Sequence, residues 1–313
     1  MTNHLFEKEL LFAAARSPFK SNRQKTVGEL ATPSLDWDYV LAISRRHGIA
    51  PLLFQELAQA KVANQVPTGT YETLRRIYLS SLMGNRRLYQ KLLPVLDAFD
   101  DHSVPTMLLK GAALCLTTYT DMALRPFGDL DILVPQNKVH LCQGLMEELG
   151  YILVENNYFP VPDELNDQLG CEWTYHCDRA VIELHWDLID KLAPFRVDIS
   201  SFWDDAEEVE VEGNRALVMN PRNQLIHLCL HQYKHHWNHL RDLTDVALIV
   251  DKFGPCLDWE LLYSVARAQG LERCVYYTLA LANQVLDASI PDSQLAPLLD
   301  GSPPSRIARS TRD

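Results

Sequence analysis

Apolar residues change their spacing twice along this chain, and those changes restrict the fold more than any single motif does. From about residue 5 to 100, in "HLFEKELLFAAARS", "DWDYVLAISRRHGIAPLLFQELAQA" and "TYETLRRIYLSSLMGNRRLYQKLLPVLDAFD", they recur at three and four, as on a helix with one buried face. Ser34 or Asp36 would cap the second of these helices, and "VPTGTYE" would start the third. Between about 104 and 215 the texture turns to short β-rich runs: "VPTMLLKG", "DLDILVP", "GYILVENNYF", "CEWTYHC", "AVIELHWDLI" and "EEVEVEGNRALVM". Two helical patterns, "AALCLTTYT" and "NKVHLCQGLMEELG", interleave with them, and from 216 onward helical spacing returns. The expectation is an α+β protein. Residues 1–103 would form an N-terminal helical module, 104–215 a mixed β-sheet core with helices, 216–300 a C-terminal helical module and 301–313 a disordered tail. About five strands are expected, with both helical modules facing the open side of the sheet across a cleft.

Composition narrows the function classes. The 41 acidic residues against 29 basic ones, a net charge of −12, argue against a general nucleic-acid-binding surface, which needs clustered Lys and Arg. An anionic ligand must meet a local positive site. The seven cysteines (Cys115, Cys142, Cys171, Cys177, Cys229, Cys256 and Cys274) show no C-x-x-C pair and read as reduced core thiols. The first twenty residues contain acids and no apolar run of signal length, and no segment reaches ~18 uninterrupted apolar residues. No membrane association and a cytoplasmic location are expected.

Within "FGDLDILVP", Asp129, Asp131 and Leu133 share one face of a strand, while Leu130, Ile132 and Val134 share the other. Same-face neighbours lie ~6.6 Å apart along the backbone, so the two carboxylates can converge on a divalent ion or an ion pair. Without a cation, buried like charges would be costly. In "AVIELHWDL", Val181, Glu183 and His185 likewise share a face. If the two strands are neighbours, Glu183 brings a third acid, as a ligand or as acceptor of a hydroxyl proton. Exposed strand ends also carry alternating acids with no metal. Lys110 and Gly111 end one strand and open a helix, where backbone N–H groups and the lysine charge would hold a phosphate. Arg125, four residues before Asp129, would reach the same anion. For Lys110 and Arg125 the alternative is a salt bridge to the acids themselves.

The run from "LLKGAAL" to "YTDMALRPFGDLDILV" resembles the core of the DNA polymerase beta-like nucleotidyltransferase superfamily, where a glycine-containing turn precedes a D-x-D strand and a third acid follows on a later strand. Together with "IELHWDL", "HLCLHQYKHHWNHLRDLTDVALI" and "RRHGIAPLLFQEL", it resembles more closely the uncharacterised nucleotidyltransferase family, over roughly residues 35 to 255. Lys-Gly-Ala stands where the superfamily usually has Gly-Gly or Gly-Ser. The resemblance implies an enzyme that moves a nucleoside monophosphate from a nucleoside triphosphate, ATP first among the candidates, to a hydroxyl or phosphate of an acceptor. It implies Mg²⁺ or Mn²⁺ held by Asp129, Asp131 and Glu183 as the catalytic set, and nucleotide contacts from Lys110, Gly111 and Arg125.

His227, His231 and His235 form one stripe of a later helix. The glutamate of H-E-x-x-H is absent, since Gln232 follows His231, which argues against a zinc peptidase. His231, Lys234, His235, Arg241 and Asp245 are candidates for a wall facing nucleotide or acceptor, with packed interhelical histidines as the alternative. His185 would orient a carboxylate or ligand beside Glu183. Acceptors open to this reading are small molecules, peptides and proteins. The competing reading is a degraded protein that keeps the fold and binds a nucleotide or partner without turnover.

Overall fold

The computed structural model describes residues 4–16, 23–154, 169–193 and 197–299. The expected tail at 301–313 and most of the run after Leu153 in "GYILVENNYF" lie outside them.

Helices α1 (Leu5–Ala15), α2 (Arg23–Leu30), α3 (Trp37–Arg46), α4 (Ala50–Gln59) and α5 (Thr68–Asp101) come first. Asp36 caps α3 by accepting from the Tyr39 N–H at 3.0 Å. The single helix expected over 37–59 is two. Gly48 takes a φ of +70° between them, and Pro51, with no N–H to donate, sits in the first turn of α4. The sheet contains β1 (Met107–Leu108), β2 (Leu130–Leu133), β3 (Ile152–Leu153), β4 (Glu172–Cys177), β5 (Ala180–His185), β6 (Glu207–Val211) and β7 (Asn214–Val218). Helices α6 (Lys110–Thr117), α7 (Val139–Glu148) and α8 (Ser200–Asp204) interleave with the strands. Helices α9 (Pro221–Lys234), α10 (Leu240–Phe253), α11 (Trp259–Ala268), α12 (Glu272–Leu286) and α13 (Asp292–Leu295) follow.

The strand order is β3-β4-β5-β2-β1-β7-β6. Among the described residues the sheet has seven strands against the expected five or so: "EEVEVEGNRALVM" supplies two, in a hairpin turning at Glu212 and Gly213, both at positive φ, and the expected run at "GYILV" gives a short edge strand, β3. The sheet is mixed: β2 runs parallel to β5 and antiparallel to β1, which runs parallel to β7.

Alternation along the strands gives the sheet two different faces. Leu130, Ile132, Ile182, Leu184, Tyr175 and Trp186 pack with Leu88–Phe99 of α5 and with α7. Met107, Leu109 and Leu133 belong instead to a second core that joins helices from both ends of the chain. Through that core α1 packs on α12, and the Thr244 hydroxyl of α10 donates to Ala15 O at 3.1 Å. Helix α5 enters both cores, by Leu74 in its first half and by Leu88 to Phe99 in its second.

All seven cysteines are free. Five are buried as expected, but Cys177 is half-buried and Cys256 is exposed, because the short turn after α10 leaves its side chain outside the helical layer. No helix among the described residues is long and apolar enough to cross a membrane.

Candidate active site

Parallel pairing of β2 with β5 sets Asp131 directly beside Glu183, and Leu133 beside His185. Both acids point to the face opposite the β2–β5 apolar layer, so two separate segments deliver carboxylates to one place. The imidazole of His185 lies between them, with Nε2 3.1 Å from Asp131 Oδ1 and 3.6 Å from Glu183 Oε2. One donor atom from each of Asp131, Glu183 and His185 falls within 4.8 Å of the others. Asp129, just before β2, lines the adjoining cleft.

The hairpin β4–β5 adds an acid that sequence reasoning missed. Its two-residue turn pairs Cys177 with Ala180, and the same register sets Glu172 opposite His185. Glu172 Oε2 lies 3.1 Å from His185 Nδ1. Counting back from the Asp178–Arg179 turn would have found it. A second donor group, Cys171, Glu172 and His185, therefore shares the imidazole with the first.

Lys110 closes the site from the start of α6, two residues after β1. Its ammonium bonds Asp131 Oδ1 and lies 3.6 Å from Glu183 Oε2. Its backbone is left-handed, at φ +44°, where side chains other than glycine are disfavoured. Gly111 is buried beneath Phe127, and its missing side chain makes room for that ring.

Helix α9 forms the facing wall, capped by Asn220, which accepts from the Asn223 N–H at 2.9 Å. His227, Leu230, His231, Lys234 and His235 line a cleft of about 210 Å³ with Lys110, Asp129, Glu172, Glu183, His185 and Leu188. Among the described residues the wall comes from α9 and the position just after it, and the N-terminal helices do not line this cleft, because they pack behind α10 and α12. His227 is a wall residue that the sequence singled out only as part of the stripe.

Three expected contacts do not line the cleft: Arg125, Asp245 and Arg241. Arg125 is 4% exposed, and its Nε meets both Asp245 oxygens at 2.9 Å while Nη2 lies 3.5 Å from Asp242. Tyr119 OH also donates to Asp245 Oδ1 at 2.7 Å, so this guanidinium is consumed by a buried network on α10. Its salt bridge is to these acids, not to Asp129 or Asp131. Arg241 bonds Asp242 at 2.9 Å and Pro126 O at 3.3 Å and covers Gly48.

Electrostatics divide the cleft. Burial is the strongest single influence on Lys110 and His185 and works against their charged forms, but their partners together outweigh it: Asp131 and Glu183 for Lys110, and Asp131, Cys171 and Glu183 for His185. Asp131 is held well below the usual carboxylate range: burial opposes this, and Lys110 and His185 override it. Burial, then Asp131, pushes Asp129 up. The His185 bond lowers Glu183, yet burial and Asp131 leave it raised. Across the cleft burial dominates: it takes His227 down to about 3 and also lowers His231 and His235, so neutral imidazoles face an ionic floor.

Asp131 and Glu183 already converge on one cation, the Lys110 ammonium, with Asp129 open to the same cleft. Carboxylate oxygens in this arrangement fit a hard divalent ion such as Mg²⁺ or Mn²⁺.

No curated protein matches the chain. Among solved structures it is similar to the antibiotic-resistance factor ANT(2'')-Ia, at 13% identity over 64% of this chain and 98% of that one, with a TM-score of 0.42. It is similar to the lincosamide antibiotic adenylyltransferase LnuA at 18% identity, over 50% and 96% of the two chains, with a TM-score of 0.33. A nucleotidyltransferase-like protein from Paracoccidioides brasiliensis gives 16% identity over 66% and 95%, with a TM-score of 0.36. The model of the family described as uncharacterised nucleotidyltransferase matches residues 33–287, which takes in the acid strands, the Lys110 turn and both walls of the cleft. This chain belongs to the uncharacterised nucleotidyltransferase family.

Proposed function

We propose that the protein transfers a nucleoside monophosphate from a nucleoside triphosphate, ATP first, to a hydroxyl or phosphate of an acceptor, and that it needs Mg²⁺ or Mn²⁺ to do so. The observation that carries this reading is the parallel register that sets Asp131 beside Glu183. Asp131, Glu183 and Asp129 would hold the metal. Bound there, it would supply Lewis-acid stabilisation of the phosphoryl oxygens. Alternatively Glu183, raised by burial and by Asp131, would accept the proton of the attacking hydroxyl. His185 holds Asp131 and Glu172 in orientation, and Lys110 and Lys234 offset triphosphate charge. The neutral imidazoles of His231 and His235, with ring centroids 4.3 Å apart, offer a wall to base or acceptor. The acceptor is a small molecule, peptide or protein, and a cytoplasmic setting suits the nucleotide supply. Arg125 and Arg241 have no part in nucleotide binding in this reading.

One observation favours the second reading, a nucleotide- or partner-binding protein without turnover: an ammonium already bridges the two acids. The deciding experiment combines pyrophosphate release and transfer of α-label from ATP, GTP, CTP and UTP, in Mg²⁺ or Mn²⁺, with calorimetric binding of non-hydrolysable analogues. Transfer that falls by about 10²-fold or more in Asp131→Ala supports the enzyme. Analogue binding without transfer under any acceptor supports the second reading, and transfer indifferent to Asp131→Ala sinks the assigned site.

A further inference from the structure

We propose that Lys110 is a tethered counter-ion: it occupies the carboxylate site in the nucleotide-free protein and passes to the phosphates when nucleotide arrives, so that divalent metal enters with nucleotide rather than before it. This rests on the nucleotidyl-transfer reading above and adds an order of binding to it.

Three features carry the inference. The ammonium lies on the same Asp131 and Glu183 oxygens that a divalent ion would use, so the two cations compete for one set of donors. The lysine is also held on a strained backbone. A residue at φ +44° costs of order 1–3 kcal/mol, which a glycine would avoid, so the side chain must return something for its position. Finally, the side chain is 18% exposed and lines the same cleft as Asp129, so its head faces the space a nucleotide would enter.

The charges at this site make the exchange favourable only when nucleotide is present. Asp129, Glu172 and Glu183 line the cleft with Lys110 and Lys234, and the Lys110 ammonium already sits on Asp131 and Glu183. A divalent ion entering alone would therefore have to displace that ammonium from the two carboxylates into solvent. A triphosphate brings a new anion at the cleft mouth, and the ammonium then leaves one anion only to join another. Wild-type protein should therefore bind metal weakly alone and much more tightly with nucleotide, a positive coupling between the two ligands.

Binding of Mn²⁺, read from the free-ion electron paramagnetic resonance signal, tests this with and without a non-hydrolysable ATP analogue. In Lys110→Met, nucleotide-free Mn²⁺ affinity should rise about tenfold, because Asp131 and Glu183 lose their built-in cation, while analogue affinity in Mn²⁺ should fall by a similar factor. Opposite movement of two affinities is not what a fold defect produces. Unchanged or weakened nucleotide-free Mn²⁺ binding in the variant overturns the proposal. If wild-type protein nevertheless binds analogue in Mn²⁺, the nucleotidyl-transfer reading survives that failure. If wild-type protein binds no analogue, that reading fails and this one with it. A crystal structure of the unaltered protein with Mn²⁺ and analogue needs no variant. Lys110 Nζ on a phosphate oxygen is the expected result, and Nζ still bridging Asp131 and Glu183 overturns the proposal.

Discussion

A methyl group placed on Gly111 would lie 2.8 Å from Cβ and 3.0 Å from Cγ of Phe127, closer than side-chain carbons approach. Phe127 stands two residues before Asp129, and its ring also meets Tyr89 at a centroid distance of 5.8 Å, so it has little freedom to retreat. Gly111→Ala should cost about 1–3 kcal/mol of stability and lower the transfer rate by displacing the segment that carries Asp129. Urea denaturation beside the α-label assay checks both, and a variant of wild-type stability would show that the loop yields freely. The sequence identified the position but suggested a different cause. A glycine at a strand-to-helix turn reads as a place for phosphate to approach, whereas here the close neighbour is a ring from a loop sixteen residues on. No local pattern announces which loop will cross a glycine, so contacts of this kind stay hidden until the chain is folded.

Arg125 belongs to the segment between α6 and β2 but takes its partners from α10, where Asp245 is fully buried and Asp242 nearly so. That segment therefore depends on a helix more than a hundred residues away. Arg125→Met would strand Asp245, whose carboxyl burial already pushes up, and should cost about 3–5 kcal/mol. The double variant Arg125→Met, Asp245→Leu should recover much of that loss, since the penalty comes from an unpaired charge rather than from a missing attraction. A single variant losing under ~1 kcal/mol in denaturant titration would contradict the pairing. Strand faces were legible: period-two alternation placed Asp131, Glu183 and His185 on faces that the sheet then joined in register. Arg125 was not, because a cation four residues from an acid looks local, and nothing in its own segment announces Asp245. Glu172 was recoverable only through the hairpin count from Asp178–Arg179. Secondary structure is written in local spacing, but the partner of a buried charge is chosen by tertiary packing.

The cleft has its C-terminal wall because the first and last helices of the chain behave as one layer. Leu10 of α1 is fully buried in the core that contains Val246 to Val250 of α10 and Val275 and Leu279 of α12. The backbone joins them too: Arg241 N–H donates to His47 O at 3.1 Å, and Leu240 N–H to His47 Nδ1 at 3.3 Å. Met107 and Leu133 carry this core up to the sheet, and α5 threads both cores, so a defect in α1 has a packed route to the acid strands. Leu10→Ala should remove about 2–5 kcal/mol. If the layers unfold together, the slowest-exchanging amides of Leu130–Leu133 and of Leu240–Phe253 should both speed up, and by the same factor, in hydrogen exchange under native conditions. Faster exchange confined to residues before 103 would instead mark the N-terminal helices as a separately unfolding unit. Because α9 holds its place over the acids only while that shared core is intact, the common factor would also predict that Leu10→Ala weakens nucleotide binding as the denaturant concentration approaches the midpoint, well before Asp131 or Glu183 is itself disturbed.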